Sequence, residues 1–208
     1  IWGRPRDPLI FIDAKPNVCG MIVGGLNALP QPETLIKNVN ACLEKDLYID
    51  NVKVQWDFKK GNHFIDIFKS HPVNEHHKKI PKYMFIIHGS APELRKRTPK
   101  GVGLYWDSSP TLESMMTTLE TPFGPLFYVD GDNAKEYFRS HEFAKIFAQK
   151  KRRTIARMLF GNFEEIANVM HQGLLNFSEM VIGAQSIEEN PDNLFPVALR
   201  SDLPAYLY

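Results

Sequence analysis

The sequence predicts an α+β fold, because strand-like apolar runs and amphipathic helical stretches both occur along the chain. The chain has 208 residues, of which 43% are hydrophobic, so it can bury a sizeable core. Neither an internal repeat nor a linker is visible in the sequence. We therefore expect a single domain over residues 1–208, with mixed or antiparallel sheets, flanking helices, one long helix and a short tail over residues 1–8.

Strands are predicted where apolar residues form a short run or alternate with polar ones. The clearest is the apolar run at residues 83–87, which is typical of a buried strand. After Leu174 the pattern changes to short strands and turns. The other predicted strands cover residues 9–12, 19–23, 49–56 and 64–68.

Helices are predicted from helical spacing of apolar residues and from their end signals. Ser109 followed by Pro110 marks a helix start, with serine as the cap and proline in the first turn. The longest helix is expected to begin with Asp132 as its cap, to run to about Phe160 and to end at Gly161. The predicted helices cover residues 33–45, 110–119, 132–160 and 163–170.

The composition excludes several classes of protein. The formal net charge is +1 with 24% charged residues, which indicates neither disorder nor a global attraction to nucleic acid or membrane. No apolar run approaches the ~18 residues that a membrane-spanning helix needs. Two cysteines, Cys19 and Cys42, do not form a disulfide framework at this length, which favours a reducing, cytoplasmic location. The basic groups at residues 95–97 and 150–153 indicate either solvated surface or local phosphate contacts.

Histidines at the edges of strand-like runs form a candidate metal site. Imidazole is the commonest metal ligand, and His63 and His88 each adjoin an apolar run. His171 and the thiol of Cys19 could complete a donor set that suits Zn, Mn, Fe or Co. The alternative is that each histidine is a satisfied core or loop residue, because no local spacing rule covers such separations. The polar loop at residues 70–81 carries three more histidines, interpreted as solvated surface or as further metal ligands: His71, His76 and His77.

Several of these stretches resemble motifs of one family. Residues 61–67, Gly-Asn-His-Phe-Ile-Asp-Ile, resemble the G-N-H-F-(I/L)-E-(I/V) motif of the RtcB family, the GTP- and manganese-dependent RNA ligases of tRNA splicing. Residues 86–90 resemble its I-H-S-G-S-R segment, and residues 17–21 its D-x-x-C-G segment. The similarity is collinear from about Asp13 to the last residue. Weaker matches complete it: residues 137–157 with a long helix, 169–172 with V-x-H-N, 181–184 with H-R-K-G-A, and 195–206 with I-P-G-S-M-G.

The resemblance implies a cofactor set and a reaction. In the RtcB family a cysteine and three histidines bind two Mn²⁺ ions, and the matching positions here are Cys19, His63, His88 and His171. The guanine nucleotide would contact Asn62, and Asp66 would take the place of the usual glutamate as a second cofactor-binding residue. A histidine of these ligases attacks GTP and passes the guanylyl group to an RNA 3′-phosphate, and a 5′-hydroxyl then completes the join. RNA with tRNA-like ends is therefore the expected partner.

The chain also departs from the family pattern. The metal-binding aspartate falls on Pro16, the asparagine after the last histidine is Gln172, and the lysine of H-R-K-G-A falls on Ile182. The S-H-G-A-G-R segment with the nucleophilic histidine would lie beyond Tyr208, so no catalytic residue is assigned. Three functions follow as hypotheses: an RNA ligase if the complete protein supplies that histidine, an inactive RtcB-like module that binds RNA or a protein partner, or a metal-dependent phosphoesterase.

Overall fold

The structure is a computed structural model that describes residues 8–58, 61–71, 80–186 and 195–197. Three α-helices lie in these ranges: α1 (Pro32–Glu44), α2 (Pro110–Met115) and α3 (Gly131–Phe160). The strands are β1 (Leu9–Phe11), β2 (Gly20–Leu26), β3 (Tyr48–Ile49), β4 (Val52–Lys53), β5 (Phe64–Lys69), β6 (Tyr83–Gly89), β7 (Thr117–Leu119), β8 (Leu126–Asp130), β9 (Glu164–Met170), β10 (Gln172–Asn176) and β11 (Glu179–Ile182). A 3₁₀ turn covers Pro92–Leu94.

The predicted α+β class is confirmed, with several antiparallel sheets and one long helix. Helix α3 has 30 residues and begins one residue before Asp132. Gly161, with φ 72°, adopts the left-handed conformation that ends many helices. None of the described helices has the length and apolar character that a bilayer crossing demands. The expected single domain stays a prediction, and the chain divides into two compact units.

The first unit comprises the described residues of Ile1–Cys19, Ser90–Ala148 and Met170–Ala184. Its three-stranded antiparallel sheet has the order β1-β8-β7, and β10 and β11 form a separate antiparallel hairpin. The Tyr137 hydroxyl donates to the Leu104 carbonyl at 3.1 Å in the interior. The buried core of this unit contains Ile10, Ile12, Val102, Leu112, Val129, Ala134, Tyr137 and Leu174.

The second unit comprises the described residues of Gly20–Gly89, Gln149–Val169 and Gln185–Tyr208. Its four-stranded sheet has the order β5-β6-β2-β9, and β6 is antiparallel to both β5 and β2. One core cluster joins the sheet to the end of α3 through Ile22, Phe85, Ile87, Ile155, Ala156 and Leu159, with residues of α1 packed against it. A second cluster contains Met21, Val23, Met84, Ile86 and Ala167.

Alternation along β6 assigns its side chains to these two clusters. Phe85 and Ile87 belong to the cluster that includes α3, whereas Met84 and Ile86 belong to the other. Successive side chains of a strand point to opposite faces. The side chain of His88 therefore lies on the same face of β6 as those of Met84 and Ile86.

The helix predicted at residues 163–170 is wrong, because these residues form strand β9. β9 is the hydrogen-bonded neighbour of β2 and closes that side of the four-stranded sheet. Ile166 and Val169 are β-branched and suit a pleated, partly buried surface. Pairing with β2 therefore decided the conformation of a segment whose length also fits a short helix.

Two other predicted elements differ in extent. The strand expected at residues 49–56 is the short hairpin of β3 and β4, turned at Asp50 and Asn51, which have φ values of 49° and 66°. Two-residue hairpin turns need positive φ, and aspartate and asparagine tolerate it. The helix expected to reach Leu119 ends at Met115, because Thr117 and the two residues after it pair with β8.

The remaining predicted elements lie close to their expected places. The strands predicted at residues 9–12, 19–23, 64–68 and 83–87 and the helix at 33–45 correspond to β1, β2, β5, β6 and α1. The short strands expected after Leu174 are β10 and β11. Predictions for the tail up to Asp7, for His76 and His77, and for residues 198–206 lie outside the described residues.

Candidate metal centre

Three strand ends bring the candidate ligands to one end of the four-stranded sheet. Cys19 directly precedes β2, His63 directly precedes β5, and His88 is the next-to-last residue of β6. Because β2 and β5 are both antiparallel to β6, each begins where β6 finishes. The register is direct: His88 lies opposite both Met21 and Phe64. Strand pairing therefore places residues that are distant in the sequence beside one another.

The three side chains could hold a divalent metal. One ligand atom from each of Cys19, His63 and His88 lies within 4.8 Å of the others. Donors that share an ion at ~2.0–2.3 Å are separated by less than about 4.6 Å, so small rotations satisfy this geometry. Cys19 and His88 are both 4% exposed. One sulfur and two imidazoles in a buried setting fit a borderline-soft transition metal.

A backbone carbonyl orients the ring of His88. Its Nδ1 lies 2.9 Å from the Asn62 carbonyl oxygen. A carbonyl only accepts hydrogen bonds, so Nδ1 carries the hydrogen and Nε2 is the nitrogen with a lone pair that could bind a metal. Phe64 packs against this ring, with centroids 5.5 Å apart.

A buried carboxylate lies beside the ring of His63. The Asp57 Oδ2 is 2.9 Å from Nδ1 of His63, and the Asp57 Oδ1 accepts a hydrogen bond from Lys151 Nζ at 2.7 Å. The side chains of Asp57 and Lys151 are 6% and 1% exposed. The rings of His63 and His88 are nearly perpendicular, with centroids 5.0 Å apart.

The backbone around Cys19 is held from both sides. Its N–H donates to the Asn17 Oδ1 at 3.2 Å, and its carbonyl accepts from the backbone N–H of His171 at 2.9 Å. The preceding residue, Val18, has φ 54°, a left-handed conformation that is unusual for a β-branched residue. Such strain costs of the order of 1–3 kcal/mol and is concentrated at functional sites.

His171 meets Cys19 through the backbone. Among the residues that the structure describes, its side chain is not a member of the group whose ligand atoms converge. Its carbonyl accepts from the backbone N–H groups of Gly183 and Ala184, at 2.7 and 3.3 Å. The assignment of His171 as a metal ligand stays a prediction.

The two predicted nucleotide-binding residues are both exposed. Asn62 lies in the turn before β5 and contributes its carbonyl to His88. Asp66 lies within β5, opposite Ile86 of β6. Contact of either side chain with a guanine nucleotide stays a prediction.

The residues that support His63 were not identified from the sequence. The basic group at residues 150–153 was interpreted as solvated surface or phosphate contacts, but Lys151 and Arg152 are buried. Arg152 donates to the Gly89 carbonyl at 3.1 Å and to the Asn168 Oδ1 at 3.0 Å. Spacing of four residues from Phe147 through Lys151 to Ile155 was the available signal, since such residues share one helix face.

Comparisons of this chain with protein families, with curated proteins and with solved structures found no match. No relative therefore supplies a function for the chain. The resemblance to the RtcB family stays a prediction that rests on the quoted residues. The geometry around Cys19, His63 and His88 is the basis for inferring what the protein does.

Proposed function

We propose that this chain is an RtcB-like module that binds a divalent metal through Cys19, His63 and His88 and acts on RNA ends. One observation carries the proposal. Three residues that are distant in the sequence, and that the motif resemblance names as ligands, have ligand atoms within 4.8 Å of one another. Independent packing of each histidine as a core or loop residue would not require this convergence.

Among the described residues the converging group has three ligands, and this number favours a reactive site over a structural one. Structural zinc sites use four protein ligands, whereas catalytic sites use three and keep one position for water or substrate. A divalent ion held here would neutralise the charge of a phosphoryl group and orient it for displacement. Two of the residues that would hold such an ion are themselves fixed: Cys19 by hydrogen bonds of its backbone, and His88 by the Asn62 carbonyl.

The proposed cofactors are Mn²⁺ and GTP, and the proposed partner is RNA. The motif resemblance supports the nucleotide assignment of Asn62, whose exposed side chain lies beside His63 in the chain. Asp66 is exposed on β5, three residues after His63. In a protein that supplies a nucleophilic histidine, this module would serve the joining of an RNA 3′-phosphate to a 5′-hydroxyl in the cytoplasm.

Binding of two matched RNAs tests the proposal. One labelled oligonucleotide ends in a 3′-phosphate and the other in a 3′-hydroxyl, and each is titrated with the chain in Mn²⁺ and in Zn²⁺. We expect the 3′-phosphate RNA to bind at least tenfold more tightly, about 1.4 kcal/mol, because its terminal oxygens reach the open metal position. His63→Ala should remove this preference, and the exposed His71→Ala should keep it. Equal affinity for both ends in the wild-type chain would contradict the proposal.

Product analysis separates the proposed function from its alternatives. A covalent protein–GMP adduct with labelled GTP and Mn²⁺ would support the ligase hypothesis directly. Release of inorganic phosphate from the 3′-phosphate RNA would instead favour a phosphoesterase, to which the three-ligand site is also suited. End-selective binding without either product would indicate an inactive RNA-binding module.

A further inference from the structure

We infer that Asp57 and Lys151 are positioning residues for the metal centre, which act by fixing the ring of His63. The inference rests on the proposed metal centre and adds two residues to it. Neither belongs to the group of converging ligand atoms.

The contacts form a continuous chain from a helix to the candidate ligand. Lys151 of α3 donates to one oxygen of Asp57 at 2.7 Å, and the other oxygen lies 2.9 Å from His63 Nδ1. Metal-binding histidines commonly donate their second ring N–H to a carboxylate, which fixes the tautomer and increases the basicity of the ligand nitrogen. Since Nδ1 is the nitrogen close to Asp57, Nε2 of His63 is the nitrogen that would be available to an ion.

The carboxylate is held so that it supports a ligand and does not become one. Each oxygen of Asp57 already faces a partner, one the ammonium of Lys151 and the other the imidazole of His63. The ammonium also lies 5.7 Å from the centre of the Phe58 ring, which adds a second favourable contact. Rotation of Asp57 toward a metal would break its 2.7 Å contact with the buried Lys151 ammonium, at a cost in free energy.

A purely structural role accounts poorly for this pair. A buried ion pair is weak evidence of stability, because its desolvation offsets much of the attraction. His88 shows that a neutral carbonyl is enough to orient an imidazole. The placement of a charged carboxylate 2.9 Å from His63 Nδ1 therefore points to a metal ligand whose nitrogen is made more electron-rich.

Cobalt binding by Asp57→Asn tests the inference. Co²⁺ is titrated against a competing chelator, and its visible and thiolate charge-transfer absorption is recorded on protein shown to be folded by circular dichroism. We expect Asp57→Asn to weaken Co²⁺ binding by about 10–100-fold and to shift the visible bands, because outer-shell partners have effects of this size. The matched control is Asp50→Asn, which removes the surface ion pair between Asp50 and Lys150, the residue next to Lys151. It should leave the affinity and the spectrum unchanged.

A second variant tests the inference if the first one fails to fold. Asp57→Asn removes the carboxylate charge that faces the buried Lys151 ammonium, whereas Asp57→Asn combined with Lys151→Met removes both charges of this pair and is less disruptive. This double variant should show the same 10–100-fold loss. Wild-type affinity and spectrum in either folded variant would overturn the inference and leave the metal centre intact. Absence of Co²⁺ binding by the wild-type chain would overturn the proposed metal centre itself, and the inference with it.

Discussion

Met21 of β2 lies directly opposite His88 of β6 in an antiparallel register. Phe64 of β5 lies opposite the same histidine on its other side. Cys19 is two residues before Met21, and His63 is one residue before Phe64, so both reach the end of β6. A slip of one residue in either pairing would turn the strand's side chains to the opposite face. The register of two strand pairs therefore determines whether the three candidate ligands come together.

Removal of the sulfur should empty the centre. Cys19→Ala is expected to lower the bound divalent metal from about one ion per chain to near zero, because two imidazoles alone hold an ion weakly. His171→Ala should keep that ion, since His171 is outside the converging group of the described residues. Metal content after gel filtration, measured by mass spectrometry, checks both. Loss of all metal in His171→Ala would contradict the assignment of the ion to Cys19, His63 and His88.

Acid stability should depend on Glu142. The adjacent His141 imidazole, whose Nδ1 lies 3.7 Å from Oε1 of Glu142, lowers the pKa of Glu142 below its ordinary value of 4.5. A lowered pKa in the folded state adds stability above the unfolded value, and that stability is lost as the pH falls through the folded value. Urea unfolding of Glu142→Gln should thus show a shallower loss of stability below pH 4.5 than the wild-type chain. The effect is small because the Glu142 side chain is 40% exposed.

A matched substitution accounts for the loss of one carboxylate in that experiment. Glu120→Gln removes the same charge at an exposed position on another segment. If the free energy of unfolding falls equally with decreasing pH in Glu142→Gln and in the wild-type chain, the His141 contact contributes nothing to folding stability.

The cap of α2 should be a stability determinant of the first unit. The Ser109 hydroxyl accepts from the Leu112 N–H at 3.3 Å and donates to the Val102 carbonyl. Ser109→Ala removes a helix cap and a buried hydrogen bond, at an expected cost of about 2 kcal/mol in the free energy of unfolding. The neighbouring Ser108→Ala should change it by less than about 0.5 kcal/mol, because Ser108 bonds only at the surface. If the two substitutions change the free energy of unfolding in denaturant equally, Ser109 does not stabilise the fold as the cap of α2.

The elements that could be predicted from the sequence carry strong local signals. The 83–87 run is apolar throughout and became β6, and the amphipathic spacing up to Gly161 became α3. β9 could not be predicted in the same way, because its strand conformation depends on pairing with β2. Local propensity is a weak guide where a distant strand supplies the hydrogen bonds.

The candidate site likewise contains residues that the sequence could predict and residues that it could not. Cys19, His63 and His88 are predicted from their positions beside strand-like runs and from the motif resemblance, which carries information that spacing alone lacks. Asp57 and Lys151 have no such motif, and charged residues are expected at the surface unless they are paired. Their pairing joins residues 94 positions apart, a separation that only the folded chain reveals.

The three donors of the centre meet only after β2, β5 and β6 have assembled. An unfolded chain lacks this preformed arrangement, so an ion binds the native state preferentially and shifts the folding equilibrium. At a metal concentration of 100 times the dissociation constant, the gain would be about 2.7 kcal/mol. The ion would thus stabilise the association of three strands, and its concentration would affect the stability of the folded chain as well as its chemistry.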